Sequence, residues 1–163
     1  QHIGTACDGS GVGLKISDEF GELTFCNGIV KTENGVISCT IDIRVPVTFK
    51  KDDILNRIEG NLEDENGRIE VGEIGNPLFF PRESPLVNAL YKAYVDVTGD
   101  TENGPMVIGG GSYAISLKNI IAFGPEKLGV DYRIHGADEF ILVSEMEEAV
   151  EVYMEAIKNL LAI

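Results

Sequence analysis

The chain has 163 residues, enough for one ordinary domain or two small ones, and is 44% hydrophobic and 25% charged. Its 27 acidic against 13 basic residues give a net charge of −14, which repels a phosphate backbone and leaves no basic stripe, so no nucleic-acid partner is expected. No run of about eighteen apolar residues occurs, so no membrane partner is expected either.

Gln1 is not a start methionine, and no basic-then-apolar leader follows it. A cloned piece, a processed product and a fragment all fit such a beginning. Gln1 to Ser17 is glycine-rich and weakly patterned, which predicts loops around a short strand. Leu23–Lys31 and Val36–Val47 read as two strands joined at Asn34-Gly35, a strong hairpin signal. The second strand alternates. Ile37, Cys39, Ile41, Ile43, Val45 and Val47 face one side, and Ser38, Thr40, Asp42 and Arg44 face the other. Cys7, Cys26 and Cys39 are odd in number and irregular in spacing, which argues against a disulfide framework and for a reducing, cytoplasmic setting. With the turn at Asn34-Gly35, Cys39 faces Val30 and Cys26 faces Ile43, so no bond between these thiols is expected.

Lys51 to about Leu62 reads as a helix with Ile54, Leu55, Ile58 and Leu62 along one side. Arg68–Ile74 reads as a fourth strand. Strand, strand, helix, strand is most of a small α+β sandwich that lacks one strand and one helix at its front. Asn76-Pro77 and Pro81 mark a linker. Ser84-Pro85 opens a helix whose inward residues are Leu86, Leu90, Tyr94 and Val97 and whose stop is Gly99. Met106–Ile108 reads as a short strand, Gly109–Ser112 as a turn, Tyr113–Leu117 as a short helix, and Asn119–Phe123 as another strand before Gly124-Pro125. Glu139 begins a further apolar strand. Ser144 and Glu147 have the spacing of a capping box. They open a last helix with Met146, Val150, Tyr153, Ile157 and Leu160 or Leu161 toward a core. This alternation suggests one edge of a parallel α/β sheet whose remainder is absent.

Three features carry chemistry. Gly109-Gly110-Gly111 exposes backbone N–H groups that can hold a carboxylate or phosphate, or simply makes a tight turn. It matches neither the Walker nor the dinucleotide pattern. His135 stands in HGADEF, but its spacing to Asp138 and Glu139 matches no zinc motif, and a stable site needs three or four ligands. Arg44 either pairs with Asp42 or a neighbouring acid, or grips a substrate carboxylate. No G-x-S-x-G elbow is present, and no cysteine has an evident activating partner.

SDEFGELTFCNGIV, TIDIRVPV, PLFFPRESPLVNALYKAYVDVTGD, GPMVIGGGSYA, IIAFGP and HGADEFILV occur in this order at natural distances. Together they closely resemble the C-terminal portion of M20 family metallopeptidases, most of all dipeptidases of the PepV or Xaa-His type, from about Ser17 onward. The resemblance implies an α/β, incomplete two-domain arrangement. Residues 1–80 would be the second half of an α+β, ferredoxin-like lid, and 81–163 the C-terminal part of a dinuclear-metal catalytic domain. His135 would be the single C-terminal metal ligand. Arg44 and the backbone at Gly110, Gly111 and Ser112 would hold the carboxylate end of a dipeptide.

In that family two divalent ions, zinc or in some members manganese or cobalt, activate a water for peptide hydrolysis. The other metal ligands, the general-base glutamate and a lid histidine lie upstream and have no match here. One ligand cannot clamp both attacking and developing oxygens. The chain alone is therefore expected to hold no stoichiometric metal and to be inactive, and to self-associate or pair with a missing N-terminal half. A non-catalytic protein that kept part of the fold, and one half of a split enzyme, fit the same residues.

Overall fold

The computed structural model describes residues 3–61, 67–72, 75–124 and 126–163. The chain divides into two compact units, Gln1–Pro77 with Met106–Gly111, and Leu78–Pro105 with Ser112–Ile163. The architecture is mixed α and β.

The first unit opens with a 3-10 turn at Ser10–Val12 and a two-residue pair of strands, β1 (Ser17–Asp18) and β2 (Gly21–Glu22). The Asp18 carboxylate accepts N–H bonds from Phe20 and Gly21 across the turn, and from the Thr48 N–H and hydroxyl at 3.2 and 2.8 Å. One side chain thus ties the small ribbon to the segment that follows the main hairpin. That hairpin is β3 (Thr24–Glu33) and β4 (Val36–Arg44), antiparallel. Asn34 and Gly35 have φ of 51° and 77°, the left-handed pair required by a two-residue hairpin turn.

From the turn to Ile29 the register is as expected, with Val30 opposite Cys39. Between Asn27 and Ile29 it shifts by one residue, so Cys26 lies opposite Asp42 rather than Ile43. The cause is a bulge at Gly28, which leaves one residue of β3 unmatched. The three cysteines are free.

The core of this unit is Val12, Leu14, Leu23, Phe25 and Ile54, with Ile41, Ile43, Val45 and Ile58 packed against it. The inward alternation of β4 is therefore real from Ile41 onward, whereas Ile37 near the hairpin tip is exposed. α1 (Lys51–Asn61) contributes Ile54, with Asp52 and Asp53 in its first turn, where the helix dipole favours negative charge. Leu62 and Ile74 lie outside the described residues. No strand forms in the described part of the expected 68–74 segment.

The second unit is built on α2 (Pro85–Thr98) and α3 (Val143–Leu160). α2 begins and ends as its sequence dictates. The Ser84 hydroxyl accepts the Val87 N–H, Pro85 fills the first turn, and Gly99 stops the helix at φ 72°. Leu90 and Ala93 of α2 form a buried cluster with Ala156 of α3, flanked by Leu86, Ile121, Phe123 and Leu160. Tyr153 adds an edge-on contact to Phe123, with ring centroids 5.8 Å apart, and its hydroxyl donates to the Phe123 carbonyl.

Three expected strands are absent as strands. The segments 106–108, 119–123 and 139–142 carry no ladder among the described residues. Short strands need neighbours to form a sheet, and none is available to them here. The start of α3 also differs from expectation. Glu145, not Glu147, reaches back to a helix-entry N–H, that of Leu142, and the helix begins at Val143. Of the expected inward stripe of α3, Leu160 packs against the core cluster and Tyr153 touches Phe123 at its edge, while most of the stripe faces out. Val152 and Ala156 are buried, while Met146, Val150, Tyr153, Ile157 and Leu161 are exposed.

The turn after α2 is held by Asp100. Its carboxylate accepts from the Asn103 side chain at 2.8 Å, from the Tyr94 hydroxyl at 2.8 Å, and from the backbone N–H groups of Asn103 and Glu102. The hydrogen bond from Asn103, followed by that from Tyr94, holds this carboxyl at about 2, below the ordinary 3.8. Because the folded value is the lower one, the group's stabilisation is present above about pH 4 and fades as pH falls toward about 2. Asp100→Ala should therefore lower the urea midpoint by a constant amount above about pH 4, and the difference should narrow toward about pH 2. A difference independent of pH across that window would contradict this assignment.

Candidate functional site

Arg44 ends β4, opposite Thr24 at the base of the hairpin. Its guanidinium lies on the carboxylate of Asp42, two residues back on the same strand face. Nε is 2.7 Å from one oxygen and Nη2 is 3.0 Å from the other. This is the simpler of the two roles expected for Arg44, with a partner on its own strand rather than across the hairpin. Both side chains are about half exposed, so the pair contributes little to stability. A guanidinium carries five N–H donors in a planar fork, and Asp42 engages only part of that set.

The glycine turn meets this residue within the first unit. A Cβ placed on Gly109 would stand 3.3 Å from the Arg44 Cβ and 3.5 Å from its Cγ. The missing side chain is what lets the backbone run against the arginine stem. Beside it, Gly111 has open space where a side chain would be. Arg44 and Gly109 are thus brought together, and Gly110 and Gly111 follow Gly109 in the chain. Ser112 follows in the chain. Its hydroxyl accepts the Ala114 N–H at 3.2 Å and caps the 3-10 turn Tyr113–Ser116, which buries Ala114 and leaves Tyr113 almost fully exposed.

His135 belongs to the second unit, in a tight loop. Arg133, His135 and Asp138 have φ of 56°, 63° and 58°, three non-glycine residues in the left-handed region within six positions. Strain of this kind persists only where the surroundings over-determine it. Here the constraints are visible. The Gly136 N–H donates to the Arg133 carbonyl at 2.7 Å, the His135 N–H donates to a Glu139 carboxylate oxygen at 3.1 Å, and Arg133 pairs with Asp138 at 3.7 Å.

Glu139 therefore anchors the loop through its backbone. Below the loop, Tyr132 is buried against Phe140, and the Phe140 N–H donates to the Tyr132 carbonyl. The Tyr132 hydroxyl accepts the Lys127 N–H and donates to Glu145 of α3, while the Lys127 ammonium pairs with Glu148. The sequence reading missed this clamp. Its one legible sign was the run of acids early in α3.

The fit of a metal centre can be judged from these donors. Among the described residues no three His, Cys, Asp or Glu side chains gather closely enough to hold an ion. Asp138 is committed to Arg133, and Glu139 to the loop backbone. His135 is a single exposed imidazole, and the residues present do not fit a closed dinuclear site. An open cleft of about 400 Å³ beside Pro85, Lys92 and Asn159 includes none of the expected site residues. No helix among the described residues is long and apolar enough to cross a membrane.

The family model described as peptidase family M20/M25/M40 matches residues 2–159. The chain is also similar to three staphylococcal proteins that bear the name "Putative dipeptidase". Identity to the one from Staphylococcus epidermidis is 32% over 138 residues, covering 80% of this chain and 29% of that protein. Identity is 31% over 156 residues to the one from Staphylococcus haemolyticus and 30% over 156 residues to the one from Staphylococcus saprophyticus, in each case 93% of this chain and 33% of the relative. The chain thus spans about a third of the length of the curated relatives it matches.

Tyr132→Phe tests the clamp under the loop. Losing the hydroxyl should cost about 1–2 kcal/mol and speed amide exchange across 133–139, with little change in α2. Unchanged exchange in the loop would show that the hydroxyl does not hold it.

Proposed function

The chain belongs to the M20/M25/M40 peptidase family, and on that premise we propose that it is part of a metal-dependent dipeptidase whose other part it does not contain. Residues 1–80 are read as the second half of its lid and 81–163 as the C-terminal part of its catalytic domain. The observation that carries the reading is the approach of Gly109 to the Arg44 stem, which brings the glycine segment to the residue that carries a guanidinium fork. Such a pairing suits a planar carboxylate, the C-terminal end of a dipeptide.

In this reading Arg44 exchanges some of its contact with Asp42 for the substrate carboxylate. The backbone at Gly110, Gly111 and Ser112 supplies further donors, which fixes the dipeptide in one direction. Peptidases of this family generally use divalent metal ions. His135 is proposed as one of their ligands, zinc being the expected ion and manganese or cobalt the alternatives. The described residues offer no further ligand set, so the remaining ligands and the proton-transferring carboxylate belong to the part not contained here.

A second reading has one observation in its favour. Arg44 is already paired with Asp42, as it would be in a protein that kept the fold and lost the chemistry. The two readings separate in a chimera of the Staphylococcus haemolyticus relative whose matched 156 residues are replaced by this chain. The dipeptidase reading expects hydrolysis of dipeptides with added zinc or manganese. His135→Ala should lower kcat/KM by at least about a hundredfold. Arg44→Ala should lower it by about 10- to 100-fold, mainly through KM. A folded, metal-loaded chimera without hydrolysis, or activity indifferent to His135→Ala, would overturn the proposal.

A further inference from the structure

We propose that the outward side of α3 is a docking surface for the portion of an M20 peptidase that this chain does not span. The inference rests on family membership and not on the dipeptidase reading.

A helix on the surface of a globular protein normally carries one apolar stripe. α3 carries two. Val152 and Ala156 are buried on the side that packs on α2. Val143, Met146, Val150, Met154, Ile157 and Leu161 follow one another at steps of three or four residues, and each is more than half exposed. At 3.6 residues per turn they form a continuous stripe on the opposite side of the helix. The charged side chains Glu147, Glu151 and Lys158 occupy one of the two arcs between them. A helix apolar on two sides belongs between two layers, and the described residues provide one.

The stripe continues into the segment before the helix. Ile141 and Leu142 are about half exposed, the backbone at Leu142 is extended, and no strand pairs with them among the described residues. The occupant therefore needs an apolar surface and, at this end, backbone groups that complete a sheet edge.

Two observations favour the rest of the peptidase over a second copy. Relatives are covered over about a third of their length, so about two-thirds of each of these relatives has no counterpart in this chain. In addition, α3 carries five glutamates against one lysine, in a chain of net charge −14. A second copy would bring the same net charge of −14 to the contact, so charge repulsion opposes pairing this face with itself.

The test labels a thiol placed in the stripe. Met154→Cys is made in the isolated chain and in the chimera, and modification by a maleimide is followed at that site by peptide mass. The isolated chain should react quickly at any protein concentration, and the folded chimera at least about tenfold more slowly. Equal rates would overturn the proposal. Protection in the isolated chain that grows with its concentration would also overturn it, in favour of a second copy.

A second arm needs no chimera. Val150→Lys should leave the melting temperature of the isolated chain almost unchanged, whereas Val152→Lys should abolish folding of the helix pair. Equal damage from both would show that the stripe is already covered within the chain, and would sink the idea. Labelling reports docking and hydrolysis reports chemistry, so a chimera that protects position 154 and cleaves no dipeptide would keep this inference while defeating the functional reading.

Discussion

The second unit depends on the close contact of α2 and α3 through Ala93 and Ala156. Small side chains at a helix crossing let the two backbones approach, and larger neighbours such as Leu90 and Leu160 then close around the contact. Once this pairing is made, the rotation of α3 about its own axis is settled. Val152 and Ala156 go inward, and the longer apolar residues of the other side go outward. The same rotation presents Glu145 to the Tyr132 hydroxyl and Glu148 to Lys127, which fixes the base of the His135 loop. One packing choice thus positions the loop with the candidate ligand and exposes the stripe that lacks cover.

The site follows a similar logic in the first unit. β4 delivers Arg44 to the end of the hairpin, and the absence of a side chain at Gly109 lets the glycine segment lie against it. These are the groups proposed to meet a carboxylate, while the described residues provide no matching set for a metal. The local geometry agrees with a family member that carries about a third of the length of its relatives. Among the described residues His135 is the one imidazole, and the proposed chemistry needs more ligands than that.

Much of this was legible where a local rule operates alone. Asn34-Gly35 specified the hairpin turn because two left-handed residues are needed there, and Ser84, Pro85 and Gly99 bounded α2 by capping. Legibility failed where the outcome depends on a distant partner. Val12 and Leu14 are fully buried, although their glycine-rich surroundings show no period that would mark them as core. The bulge near Gly28 moves Cys26 from Ile43 to Asp42, and no turn rule foresees it. The strands expected at 106–108, 119–123 and 139–142 have the right composition, and no strand pairs with them among the described residues. On α3 the strongest period marked the exposed stripe, because the side facing α2 uses alanine, which hydrophobic patterning weights lightly. The resemblance of HGADEF and the glycine turn to a peptidase family was readable without any of this, and the family match supports it at that level.

The central claim is that this chain holds one side of a metallopeptidase and cannot assemble the metal centre by itself. Metal content tests it most directly. After purification with zinc present and removal of loosely held ions, elemental analysis of the 163-residue chain should give well under one zinc per molecule, since one imidazole does not make a stable site. Two tightly held ions per isolated chain would contradict the account.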